Sequence, residues 1–94
     1  MGIYFMFGKY SVNSVKGMSA ERTKKAAALV KKCGGQVRDV YALLGDHDIV
    51  CIANFPSTKE AMRASVELTR LLDISSTTAP AVTVDEFDRL IKKK

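Results

Sequence analysis

Ile3-Tyr4-Phe5-Met6-Phe7 places five apolar or aromatic residues in a row near the start of the chain, closed by Gly8-Lys9-Tyr10. Such a run, bounded by a turn signal, predicts a strand. Ile3, Phe5 and Phe7 would share one face, and Tyr4 and Met6 the other. A strand covered on one side only alternates apolar with polar residues, so this one is expected to be central and covered on both. From Asn13 to Cys33 the positions Val15, Met18, Ala26, Leu29, Val30 and Cys33 recur with a helical period. Asn13 or Ser14 can cap the start of this helix and Gly34-Gly35 its end. Gln36 to Leu44 and His47 to Phe55 predict two further strands, joined by a tight hairpin at Gly45-Asp46. The second of them carries Ile49, Cys51, Ala53 and Phe55 on one face and Val50 and Ile52 on the other, again apolar on both.

Pro56 ends that strand, and Ser57-Thr58-Lys59-Glu60 forms a capping box that opens a second helix running to Leu72. Ala61, Ala64, Leu68, Leu71 and Leu72 make its apolar side. Ile74 to Val82 predicts a more polar strand, and Pro80, which lacks a ladder donor, assigns it to an edge. Thr83-Val84-Asp85-Glu86 is a second capping box, opening a short helix with Phe87, Leu90 and Ile91 on its apolar side.

The order βαββαβ with a terminal helix predicts a single α+β domain over residues 1–94, a ferredoxin-like sandwich with an antiparallel four-stranded sheet. That topology puts the first and third strands in the centre, and these are the two that read apolar on both faces. Two helices cover one face of such a sheet. The other is expected to expose Tyr4, Met6, Val50 and Ile52, or their opposite-face counterparts, and an apolar patch of that size marks an interface. The expected partner is a second copy packed sheet to sheet about a two-fold axis, in a homodimer or higher oligomer.

Composition narrows the picture. The chain has 94 residues, and no apolar run reaches the length of a membrane span. Met1 to Lys9 lack the basic start of a secretory signal, so a cytoplasmic protein is expected, with no membrane association. Cys33 and Cys51 match neither a zinc spacing nor a Cys-x-x-Cys motif, so they read as two reduced, buried thiols; no metal and no cofactor are expected. The net charge is +5, and Lys92, Lys93 and Lys94 supply three of those charges. A basic tail of this kind is a solubilising end and argues against nucleic acid as a partner.

Arg22 is the residue with the most to say. With Ala26 taken as zero on a helical wheel, Arg22 falls at about −40°, between Cys33 at about −20° and Leu29 at about −60°. A guanidinium inside an apolar stripe keeps its charge and needs acceptors. Either its stem packs on the sheet while the head reaches solvent or pairs with a carboxylate such as Asp48 or Asp39, or it is a fixed cation at a cavity mouth, suited to a carboxylate or phosphate. His47, the only histidine, stands beside Asp48, which could orient its ring as a general base. Tyr4 could offer a hydroxyl to a pocket, as could Tyr10 and Tyr41, and Lys9 and Lys16 could add to an anion patch near Arg22. The bland reading of each is core packing or solvated surface. Arg22, His47, Asp48, Tyr4, Lys9 and Lys16 are the candidate ligand-binding set.

Gly8-Lys9-Tyr10, Lys16-Gly17, Glu21 to Ala26, Gly34-Gly35, Leu44-Gly45-Asp46-His47-Asp48 and Asp85-Glu86-Phe87, in this order, resemble the GYD-domain family of small bacterial and archaeal proteins. His47 stands where the family's naming Tyr is usual, while Gly45 and Asp48 match. Ser76-Thr77-Thr78 follows the family's last strand only loosely. The resemblance implies a ferredoxin-like fold of the dimeric α+β barrel type and brings no established activity with it. The leading expectation is a homo-oligomer that binds a small, anionic or neutral molecule or acts as a regulatory module. The alternatives are a cofactor-free oxygenase or isomerase, by analogy of fold, and a protein- or nucleic-acid-interaction module. No catalytic motif decides between an enzyme and a binding protein.

Overall fold

The structure, a computed structural model, describes residues 2–92; Met1, Lys93 and Lys94, and with them most of the basic tail, lie outside the described residues. The elements are β1 (Gly2–Tyr10), α1 (Val12–Lys16), α2 (Ala20–Lys32), β2 (Gln36–Ala42), β3 (Ile49–Phe55), α3 (Thr58–Leu72), β4 (Ile74–Ala81) and α4 (Val84–Ile91). The strands form one antiparallel sheet in the order β2-β3-β1-β4. This is the ferredoxin-like arrangement, with the two doubly apolar strands in the middle and Pro80 on an edge strand. The extents are 54 × 30 × 18 Å, and the shortest is the depth of one sheet and one helix layer.

The predicted first helix is two helices. Ser11 caps α1, its hydroxyl accepting from the Ser14 N–H and donating to Asp73 Oδ2, each at 3.0 Å. Ser19 caps α2, its hydroxyl accepting from the Arg22 N–H at 3.0 Å. Gly17, Met18 and Ser19 break the path because a free Ser at the head of a strong helix offers its first N–H groups a partner. Val15 and Met18, placed in the apolar stripe by the wheel, are therefore exposed.

The other end of α2 is as the two glycines require. Gly34 has φ +90°, the left-handed conformation of a helix terminus. Gly35 lies where a Cβ would come within 2.9 Å of the Asn54 carbonyl oxygen and closer still to the Phe55 ring.

The hairpin also differs from expectation. β2 and β3 pair from Ala42↔Ile49, leaving a six-residue connection in place of a two-residue turn. The cause is Asp48. Its N–H donates to the Gly8 carbonyl, its carbonyl accepts from the Leu43 N–H, and its carboxylate accepts from the Tyr10 N–H, each at 2.8 Å. Asp48 thus latches the loop to the end of β1. A bulge at Arg38, between Val37↔Ala53 and Asp39↔Ile52, puts Val37 and Val40 on the same face although they are three residues apart.

Register corrects the expected interface. Tyr4 pairs with Ala53 and Met6 with Cys51, whereas Phe5 pairs with Ile52 and Phe7 with Val50. Opposed residues share a face. Tyr4 and Met6 are buried under the helices with Ala53, Phe55, Val30, Cys33, Ala61, Ala64 and Leu68. The uncovered face carries their counterparts Ile3, Phe5 and Phe7 together with Val50 and Ile52. Of the four residues assigned to the open face, Val50 and Ile52 lie there and Tyr4 and Met6 do not.

Candidate functional site

Between α2, α3 and the helix-covered face of the sheet lies a cavity of about 110 Å³. Its walls are built by the same periodicities that make the fold. α2 contributes Arg22, Thr23, Ala26, Ala27 and Val30. The sheet contributes Met6, Gly8, Val37, Val40, Ile49 and Cys51, and α3 and β4 contribute Ser65, Leu68, Leu72, Ile74 and Ser76. Small residues keep the space open: Ala26 and Ala27 line the helix side, and Gly8 forms part of the floor. A Cβ on Gly8 would come within 2.9 Å of both Ile49 Cγ2 and Ile74 Cδ1.

Arg22 belongs to this lining and is half-buried. Its guanidinium donates to the Ser14 carbonyl at 2.8 Å, so it closes the C-terminal end of α1, where carbonyls lack intrahelical partners. Neither carboxylate expected to pair with it does so. Asp48 is engaged by the Tyr10 N–H, and Asp39 lies exposed on β2 across from Ile52. The Ser14 hydroxyl, next to the carbonyl that Arg22 holds, is buried with no hydrogen-bond partner among the described residues.

The remaining candidates are dispersed. His47 stacks on Phe7 with ring centroids 5.0 Å apart, and Phe7 pairs with Phe5 on the uncovered side of the sheet. The structure therefore does not bring His47 into the lining with Arg22. Tyr4 sits in the core against Phe55, its hydroxyl 3.1 Å from Thr58 Oγ1. Lys9 and Lys16 are exposed. Tyr10, weighed above only as a general hydroxyl, does line the cavity, and Asp48 stands one hydrogen bond behind it.

Cys51 faces the same space. Burial pushes its thiol up to about 11, so it stays protonated at neutral pH and is a poor nucleophile. Both cysteines are free thiols, with Cys33 buried in the core.

A cluster that the sequence reading missed closes the wall between α3 and β4. The Thr69 hydroxyl donates to the Ser65 carbonyl at 2.9 Å, so it accepts from Ser76 at 2.9 Å. With its hydrogen used there, Ser76 accepts from Ser65 at 3.1 Å, and Ser65 in turn accepts from Thr78 at 3.1 Å. Each hydroxyl hydrogen is spent within the cluster, leaving only acceptor capacity. The signal was present as two hydroxyls four apart on a helix and two hydroxyls two apart on a strand.

Among the described residues no cluster of His, Cys, Asp and Glu could hold a metal ion. No described helix is long and apolar enough to cross a membrane.

The molecule is thus an α+β sandwich with a largely apolar cavity under its helices and, among the described residues, one cation in the lining. The GYD domain model matches residues 3–91, and the chain belongs to the GYD-domain family. No match was found among curated proteins.

Proposed function

We propose that this protein is a binding protein for a small, largely apolar molecule, held in the cavity between its helices and sheet. The cavity carries the reading. A domain of this size with a fully packed core would have little reason to leave 110 Å³ open, because interiors otherwise close to near-crystalline density. An apolar cavity only somewhat larger, about 150 Å³, stays dry and takes up benzene or xenon. Catalysis by a cofactor-free route is the weaker reading, since the one histidine is on the other side of the sheet and the cavity thiol is held protonated. The test is titration with benzene, followed by the chemical shifts of Met6 and Leu68 methyl groups. Saturable shifts at both support the reading; a flat response both to benzene and to smaller apolar probes such as 3-methylbutanamide overturns it.

The binding unit in this proposal is a homo-oligomer, with a second copy of the chain on the open sheet face. Ile3, Phe5 and Ile52 are half-buried there without any covering layer. The four strands, seven to nine residues long, present only about 500 Å², against the roughly 800 Å² per partner of a stable interface. The apolar side of α4 supplies the shortfall: Phe87, Leu90 and Ile91 are exposed, although the helix is properly capped by Thr83. Cytoplasmic residence belongs to the same proposal.

A further inference from the structure

Resting on the cavity-binding reading, we infer that the ligand is a compact monocarboxylate, with a short branched or cyclic hydrocarbon body in the cavity and its carboxylate on Arg22. Three observations fix this class. The first is size. At about 110 Å³ the cavity accommodates a body of roughly four carbon atoms, scaled from the engineered cavity of about 150 Å³ that holds the six of benzene.

The second is the head group. Among the described residues, Arg22 is the one Lys or Arg in the lining. One of its donors is committed to the Ser14 carbonyl, which anchors the guanidinium and leaves its remaining N–H groups for a ligand. Two parallel N–H groups match the two oxygens of a carboxylate, and one cation balances one negative charge. A doubly charged phosphate would leave an unbalanced charge beside apolar walls.

The third is orientation. Across from α2, the wall at Ser65 and Ser76 offers oxygens whose hydrogens are already spent in the cluster with Thr69 and Thr78. That wall repels a second carboxylate, so the anionic end belongs at Arg22 and dicarboxylates are rejected.

The experiment is calorimetric titration of the full chain with 3-methylbutanoate, 3-methylbutanamide, glutarate and inorganic phosphate. The acid is expected to bind at least tenfold more tightly than the amide and than glutarate, with phosphate weaker still. In Arg22→Met the acid should fall to the level of the amide while amide binding persists. Should Arg22→Met fail to fold, Ala26→Leu, which keeps the cation and fills the cavity, should lose both the acid and the amide. Equal binding of acid and amide to the wild type overturns the carboxylate assignment while leaving the cavity reading intact. Phosphate or glutarate binding as tightly as the acid overturns the single-charge argument. If the acid, the amide and benzene all fail to bind, the cavity reading falls and this inference with it.

Discussion

Replacing Ala26 by Leu separates an open cavity from a core that merely looks loose. Ala26 is half-buried on α2 and borders the cavity. A helical Leu side chain leans back toward the N-terminus, here toward the turn that carries Arg22 and Thr23. It adds three carbons, and at about 0.8 kcal/mol per buried methylene the gain has a ceiling of about 2.4 kcal/mol. A second route gives a similar figure: 110 Å³ at about 24 cal/mol per Å³ is about 2.6 kcal/mol. Lost rotamer freedom removes about 0.5–1 kcal/mol. The expected net is a stabilisation of about 1–2 kcal/mol, or about 4–16 °C in Tm for a domain of this size. The control is Ala64→Leu, the same chemical change on α3 at a position with 0% exposure inside the packed core. Overpacking there should cost about 1–3 kcal/mol. Urea denaturation of both variants at several protein concentrations gives the two free energies and corrects for any self-association. If Ala26→Leu destabilises as Ala64→Leu does, the space is not available to a side chain, and the ligand argument loses its foundation.

Other outcomes follow from particular contacts. Phe5→Lys or Ile52→Lys should convert an oligomer to a monomer in light scattering at micromolar concentration, whereas a wild type that is already monomeric would remove the sheet-face proposal. Because the folded Cys51 thiol titrates near 11 against an ordinary 9.0, the unfolded chain ionises first as pH rises. Stability is therefore full below pH 9 and declines between pH 9 and 11 by at most about 2–3 kcal/mol; Cys51→Ala should flatten that limb in alkaline melting curves, and an unchanged slope would contradict the burial. Gly35→Ala should cost about 2–3 kcal/mol in chemical denaturation because its methyl group meets the Phe55 ring and the Asn54 carbonyl, and a neutral result would place that backbone elsewhere. On the acid side, the Ser57 hydroxyl and nearby backbone hold the exposed Glu60 carboxyl below its usual range. Its contribution is present above the unfolded value and lost as pH falls through the folded one, so Glu60→Gln should shallow the acid limb.

The strand order was legible because burial on both faces leaves a mark that no single-sided strand carries. Ile3–Phe7 and Ile49–Phe55 show it, and they are the central pair. Which residues share a face across that pair was not legible. In an antiparallel pair a one-residue change in register exchanges the two faces, and the register depends on bonds that pattern does not encode. Asp48 reaching the Tyr10 N–H and the Gly8 carbonyl is one such bond set. Tyr4 and Met6 therefore went to the wrong side, although the existence of an uncovered apolar face did not depend on that assignment. The β2 bulge is a similar case. Val37 and Val40 are out of phase for an ideal strand, and only the unpaired Arg38 brings both under α2.

Arg22 shows how far periodicity carries and where it stops. Its angle on the wheel placed a cation in the apolar stripe, and the structure places it in the cavity lining. Its acceptor was not legible in that pattern, because one continuous helix from Asn13 would have tied up the Ser14 carbonyl within the helix. Breaking the helix at Gly17 changes that carbonyl into one from the last turn of a five-residue helix, where acceptors are left over. Ser14 O then receives both the Gly17 N–H at 3.1 Å and the Arg22 guanidinium at 2.8 Å. The break also determines what Arg22 is free to do. A guanidinium paired with Asp48 would be neutralised and part of the scaffold; one held by a neutral carbonyl keeps its full charge at the edge of an apolar space. The short α1 helix, which contributes little to the core, is thus what leaves the cavity with a cation that no carboxylate pairs among the described residues.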